Sequence, residues 1–426
     1  MLHATRYRRA QALVVLVLSA LVTACVVFAP MYNRALQQAM VTARLQAEPA
    51  QASGMSLTSY SAVNQASVKS PDDLVGYVPP ALAAHYEPPI RGRYLVVREE
   101  PLLNRPDGQF VWRDGFCQHV RIVAGSCPTE AGQVAISAGQ QKTRPAWKLG
   151  VTLRLGEWDD AATQVADAPR LTATIVGVYT QPARDPYWFG TLLTGRTEGG
   201  ELDAMLTPES TFTAPLHGPT GLTAALQEVH NLADFPLRTA TTGIDQIIPL
   251  GPEVNTFVQV PWAPTAQNAQ QLNASLAVYG SSGLPPIAAD MVAGRDQADV
   301  TVPLLVAQLA LLLACVLWLV LVAATDQRRS EVAVAKLRGR GSAGARRLLL
   351  AETLPPVLLG VPVGAAVALG LSALARRLVL PTSPPFEAPP LTYAALVVAA
   401  VAMTALAVVS VRRVSREPVA SLVRSV

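Results

Sequence analysis

Four apolar runs, each long enough to cross a bilayer, constrain this chain more than any other feature. Their spacing is uneven: Ala10–Met31 stands alone, while Val302–Thr325, Leu348–Leu374 and Leu391–Val411 crowd the C-terminal end. A span needs about 20 apolar residues, because the hydrocarbon core is about 30 Å thick and a helix rises about 1.5 Å per residue. Half of the 426 residues are hydrophobic, 15% are charged and the mean hydropathy is +0.30, a balance too apolar for an ordinary soluble chain. The expected architecture is therefore an α+β membrane protein: four transmembrane helices, one plus three, with a large mixed α+β extracytoplasmic domain between helices 1 and 2. The third run carries Glu352, Pro355, Pro356 and Pro362 and is expected to kink near its start.

Charge placement sets the expected orientation. Arg6, Arg8 and Arg9 precede the first run, Arg412, Arg413, Arg416 and Arg424 follow the last, and the loop after the second run carries Arg328, Arg329, Lys336, Arg338, Arg340, Arg346 and Arg347. All three segments, both termini included, are cytoplasmic by the positive-inside rule. Arg376 and Arg377 are the exceptions, at the outer end of the third span, from where they can snorkel to head groups. Between Asn33 and Thr301 there are 18 Lys and Arg against 25 Asp and Glu, a net of −7; the remainder holds 16 against 5, a net of +11. The modest overall charge of +4 thus divides into an acidic outside and a basic inside, and nucleic-acid binding is not needed to explain the basic residues.

The segments expected are 1–32 (N-terminal tail and helix 1), 33–301 (stalk and α+β domain), 302–325 (helix 2), 326–347 (a short cytoplasmic segment), 348–411 (helices 3 and 4) and 412–426 (cytoplasmic tail). Asn33–Gln46 keeps helical spacing and extends the first helix outward as a stalk, and Asp296–Thr301 leads into the second span. Glu48–Gln65, rich in Ser, Ala and Gln, reads as a loose connection. Strands are expected at Tyr94–Arg98, Phe110–Trp112, His119–Val123, Gln133–Ser137, Val151–Leu155 and Leu171–Tyr179, and helices at Gly221–Ala233 and Thr265–Tyr279. Leu380–Pro390 is proline-rich and reverses the chain outside.

Cys25 and Cys315 lie within apolar runs as small hydrophobes. Cys117 and Cys127 lie in the outer segment, where an oxidising compartment favours a local disulfide; a zinc site with His119 lacks a fourth ligand. The stretch Val22-Thr23-Ala24-Cys25 also has the form of a lipoprotein cleavage site. The apolar continuation Val26–Met31 favours an uncleaved span.

Several chemistries are disfavoured. None of the four lysines follows a glycine, so no phosphate-cradling Gly-x-x-x-x-Gly-Lys loop can form and any ATP is handled by another chain. The five histidines show no metal-ligand spacing, and Glu99-Glu100 and Asp159-Asp160 read as solvated surface. No Gly-x-Ser-x-Gly elbow is present. The first, second and fourth runs carry no internal acid or histidine, which disfavours a proton-coupled carrier.

What remains is Asp326–Glu352, DQRRSEVAVAKLRGRGSAGARRLLLAE. Val332, Val334, Ala335 and Leu337 give an apolar stripe, Arg328, Arg329, Glu331, Lys336 and Arg338 give polar faces, and Gly339 and Gly341 end the helix before another starts within Arg346–Glu352. Anionic lipid alone could hold a basic loop, but lipid attraction needs charge and not this helix–Gly–helix punctuation.

At these residues the chain resembles the FtsX/MacB-like family of ABC transporter permeases. The resemblance lies in Arg328–Gly339 (RRSEVAVAKLRG), in Arg346–Gly364 (RRLLLAETLPPVLLGVPVG) and in the tail Ser415–Arg424 (SREPVASLVR), with a weaker likeness at Gly125–Pro128, Gln133–Ser137, Leu149–Val151 and Ile175–Tyr179. Arg340 stands where a small residue is common, and the chain has one permease module where many relatives have two. The resemblance implies a permease in a bacterial cell membrane, not itself an enzyme and without a cofactor of its own. Its partners are a cytoplasmic ABC ATPase dimer that holds the ATP, a second permease copy or paralogue, and membrane lipid. The implied ATPase-coupling residues are Arg328, Arg329, Glu331, Val332, Ala335, Lys336, Leu337, Arg338, Gly339 and Gly341. Export is the leading implication, and a non-transporting envelope-regulatory scaffold that activates an extracellular partner such as a cell-wall hydrolase is the alternative.

Overall fold

The computed structural model describes residues 2–61, 70–99, 108–157, 170–182, 185–191, 193–194, 196–197, 200–201, 203–213, 216–217, 223–224, 229–259, 278–328, 342–380 and 386–415. The chain divides into two compact units, residues 1–43 with 291–426, and residues 44–290. Five long helices are described: α1 (Leu2–Ala47), α2 (Ile244–Gln259), α3 (Leu284–Asp326), α4 (Ser342–Leu378) and α5 (Pro390–Ser415).

The first unit is helical, and α1, α3, α4 and α5 are all long and apolar enough to cross a membrane. Pro355, Pro356 and Pro362 lie inside α4, which stays one continuous helix. In an apolar setting a proline's lost backbone bond is made good by neighbouring groups. α1 is the hub of the bundle and is more buried along its apolar stretch than α3. Its Val15 and Val22 pack with Leu317 and Leu321 of α3, Val357 of α4, and Ala399, Met403 and Ala407 of α5. Small residues set the closest approach. A Cβ added at Gly360 would strike Ser19, and one at Gly364 would lie 2.6 Å from the Thr23 side chain. The spacing Gly360-x-x-x-Gly364 on α4 thus faces Ser19-x-x-x-Thr23 on α1, the small-residue contact by which helices associate where no hydrophobic force separates lipid from protein. Thr23 returns its hydroxyl to the Ser19 carbonyl at 2.9 Å, so the polar atoms are satisfied inside the helix.

The second unit holds a ten-stranded mixed sheet. Its strands are β1 (Met55–Ser61), β2 (Ile90–Glu99), β3 (Gly108–Arg113), β4 (Arg121–Gly125), β5 (Gln133–Ser137), β6 (Thr152–Glu157), β7 (Arg170–Thr180), β8 (Ala204–Leu206), β9 (Val229–Phe235) and β10 (Val278–Ser282). The order is β10-β1-β9-β2-β3-β8-β5-β7-β4, and β6 joins β2 to β7. The pairs β2–β3, β3–β8, β8–β5, β5–β7, β7–β6 and β6–β2 therefore close a ring of six strands, which removes their free edges. Two long strands make this possible by changing partner along their length: β2 pairs with β9 through Ile90–Tyr94 and with β6 through Val97–Glu99, while β7 passes from β6 to β4. Leu95, Val97, Phe110, Ile136, Leu155, Ile175 and Met205 form part of one core cluster contributed by these strands.

The α+β class with one span before the sheet unit and three spans after it is as expected, and several local expectations are corrected. Glu48–Gln65 is not a loose connection where it is described, since Met55–Ser61 is an interior strand with Met55, Leu57 and Ser59 buried. Serine and threonine hid its two-residue period. Within Gly221–Ala233, the described residues Thr223–Ala224 and Val229–Ala233 are strand, and Val229–Phe235 sits between β1 and β2 with nearly every side chain buried. Long-range pairing overrides the local helical preference there. Of Thr265–Tyr279, residues 265–277 lie outside the described ones and Tyr279 belongs to β10. His119–Val123 begins as strand only at Arg121, after a 3-10 turn over Phe116–Gln118. Helix α2 was not expected because Pro249 and Pro252 interrupt it, yet Ile247, Leu250, Val254 and Phe257 bury one face.

Candidate coupling site

Helix α3 ends at Asp326, a turn carries Gln327 and Arg328, and α4 begins at Ser342. Residues 329–341 lie outside the described ones, and with them Arg329, Glu331, Val332, Ala335, Lys336, Leu337, Arg338, Gly339 and Gly341. Of the predicted coupling residues, Arg328 is the one the structure places. Its backbone N–H donates to the Thr325 carbonyl at 3.1 Å, which closes the end of α3. Its side chain donates through Nη1 to Oε2 of Glu352 on α4. Gln11 of α1 donates to the side-chain oxygen of Gln327 at 3.4 Å. Three helices therefore meet at one polar point, α1 through Gln11, α3 through Gln327 and Arg328, and α4 through Glu352.

The point rests on a dry floor. Leu349 and Thr353, which flank Glu352 on α4, are buried, and so are Leu321 and Thr325 on α3. Thr353 and Thr325 return their hydroxyls to the carbonyls four residues back, at 2.9 and 3.0 Å, so neither leaves an unmet group in the bundle. The arrangement holds two ends of a segment at fixed places while Arg346 and Arg347 supply further positive charge on α4. It offers electrostatic docking and a mechanical hold. The sequence reading did not foresee the Arg328–Glu352 pair. The signal was available: Glu352 is the one acid within Ser342–Leu378, at the foot of an apolar run where an unpaired charge is costly.

In the other unit Cys117 and Cys127 form a disulfide, with Cα atoms 6.1 Å apart. Beside it His119 stacks on Tyr187 at 3.7 Å and its Nδ1 lies 2.9 Å from Asp185. Among the described residues no group of three or more His, Cys, Asp and Glu is arranged to hold a metal ion. The most buried charges form a pair: Arg113 and Asp234, 1% and 3% exposed, meet at 2.6 Å. Arg113 also donates to the Tyr187 carbonyl at 3.0 Å, and Ser56 donates to Asp234 at 2.6 Å. Burial raises the Asp234 carboxyl above its ordinary range, and Arg113 and Ser56 pull it back down.

Four membrane-length helices, one before and three after a large sheet unit, define a multi-pass membrane protein. Residues 303–419 match the family described as FtsX-like permease C-terminal, so this part of the chain is similar to those permeases. Among solved structures, the periplasmic region of MacB from Actinobacillus actinomycetemcomitans is similar over 47% of this chain and 83% of its own length. The identity is 8% and the TM-score 0.24, a likeness from which no function follows. No curated protein matches the chain.

Proposed function

We propose that a separate cytoplasmic ATPase dimer docks on residues 328–341 and on the C-terminal tail of this permease, and that ATP-driven closure of the dimer moves α3 and α4. The observation that carries the reading is the joining of α1, α3 and α4 at Gln11, Gln327, Arg328 and Glu352. A push on the intervening segment reaches three helices together instead of bending one. The tight contact of Gly360 and Gly364 with α1 passes the displacement on without slack.

Work is then done outside the membrane, either lifting a lipid-linked or amphipathic substrate or activating an envelope partner. ATP stays with the ATPase, and this chain needs no cofactor of its own. A second permease copy or paralogue completes the complex in a bacterial cell membrane, with both termini cytoplasmic. The test is to purify the chain with candidate ABC ATPases from the same genome and to reverse charge at Arg338. ATP-dependent association that is lost in Arg338→Glu supports the reading; no association, or no loss, contradicts it.

A further inference from the structure

Polar contacts mark both ends of the path that α3 takes through the helical unit. At one end Asp299 accepts hydrogen bonds from Asn33 and Gln37 of α1, at 2.7 and 2.8 Å, and at the other Gln327 accepts from Gln11. From Asp299 to Gln327 the chain rises about 42 Å at about 1.5 Å per residue, more than the hydrocarbon core of about 30 Å. Gln308 lies inside this stretch, about 14 Å along the helix from Asp299. It is the one amide in Val302–Thr325.

Gln308 faces away from the bundle. Leu313, Leu317 and Leu321 pack α3 against its neighbours, and Gln308 is about two and a half turns from Leu317, on the opposite side of the helix. Leu304, Gln308, Leu311, Cys315 and Leu319 recur every three or four residues, so they share that free face, and all five are exposed. Among the described residues nothing hydrogen-bonds the Gln308 side chain. Thr325, on the same helix, meets its own need by donating to the Leu321 carbonyl at 3.0 Å. An amide left unmet in hydrocarbon is costly, and acyl chains offer it no partner.

A carboxamide carries donors and an acceptor, so it is complementary to itself. Two copies of α3 related by a two-fold axis along the membrane normal bring both Gln308 side chains to one height, where each satisfies the other. The face from Leu304 to Leu319 holds no charged group that would select a charged partner helix. We infer that a second copy of this chain docks α3 against α3 along Leu304, Gln308, Leu311, Cys315 and Leu319, with the two Gln308 amides hydrogen-bonded to each other. The inference rests on the reading that a second permease completes the complex, and deepens it by choosing an identical copy over a paralogue and naming the surface.

The test uses the full chain in native membranes, with Cys25→Ser leaving Cys315 as the one free thiol. Cys315 is two turns from Gln308 on the same face, so copper phenanthroline is expected to yield a disulfide-linked dimer on a non-reducing gel. Leu317→Cys combined with Cys315→Ser moves the thiol to the opposite face and is expected to yield none. Energy transfer between differently labelled copies in liposomes reads association without any cysteine. Gln308→Leu is expected to weaken that association about tenfold, and Gln308→Asn to keep most of it. Leucine suits a bilayer, so misfolding does not account for the loss. Undiminished transfer in Gln308→Leu, or equal crosslinking from positions 315 and 317, overturns this surface while leaving a second copy in the complex. No transfer in wild type overturns the identical copy together with the surface.

Discussion

Arg328 and Glu352 form an ion pair across the two ends of the basic segment 329–341, one from the turn that ends α3 and the other from the third turn of α4. The side chains are 17% and 43% exposed, so the pair is reached by solvent and is worth little as stabilisation. The pair brackets the segment, with one partner at each end.

Glu352→Gln is accordingly expected to change the stability of the purified protein by less than about 1 kcal/mol, the ordinary worth of an exposed pair. If the proposed coupling holds, the same variant is expected to lower ATP hydrolysis by a partner ATPase reconstituted with the chain. Thermal unfolding and hydrolysis measured on one preparation check both halves. A large loss of stability with unchanged hydrolysis would show that the pair is a staple and not a clasp.

Gly360→Leu is expected to destabilise the helical unit by about 3 kcal/mol or more, because a side chain there collides with Ser19 and overpacking costs about 1–3 kcal/mol even where neighbours can yield. Gly370 lies on the same helix with open space around it, so Gly370→Leu is expected to be nearly neutral. Thermal melting of the two variants in the same detergent makes the comparison.

Arg113→Met leaves Asp234 buried without its cation and is expected to cost about 3–5 kcal/mol. Replacing both, as Arg113→Met with Asp234→Leu, is expected to recover part of that loss. Chemical denaturation followed by tryptophan fluorescence reads it directly, since Trp188 is buried and its ring lies 5.9 Å from Arg113.

What the sequence disclosed about this molecule follows from the range of the forces involved. The apolar runs and the charge asymmetry report on solvent, which acts residue by residue, so α1, α3, α4 and α5 were all foreseen. Gln133–Ser137 was foreseen with the bounds it has, because a short apolar, β-branched run between turn signals is a local pattern. Val229–Phe235 was misread because its partners, β1 and β2, lie more than 130 residues away in the chain. No local pattern announced the closure of six strands into a ring, which depends on β2 and β7 changing partner midway. At the coupling site the residues with the motif lie outside the described ones, and the pair that brackets them was legible only as an isolated acid before an apolar run.

The sheet unit carries a pH dependence of calculable sign. His230 is 8% exposed, stacks on Tyr94 at 4.2 Å, and burial pushes its imidazole down from 6.5 to about 4. Between those values the unfolded chain binds a proton that the folded chain refuses, so stability falls as pH drops from about 6.5 to about 4. Above that window both states are neutral at this group and it contributes no slope. His230→Gln is expected to flatten this part of the profile, measured as unfolding free energy against pH for the two proteins side by side. Parallel profiles would show that His230 takes its proton as readily when folded.

If force enters this protein through residues 328–341, as proposed, a photo-crosslinking amino acid at Ala335 will report it. With the full chain in nanodiscs and the ABC ATPase added, a crosslink to the ATPase is expected from position 335, stronger when ATP is bound, with none from a control position at Leu149 in the sheet unit. Absence of that crosslink, or an equal yield from both positions, would contradict the account.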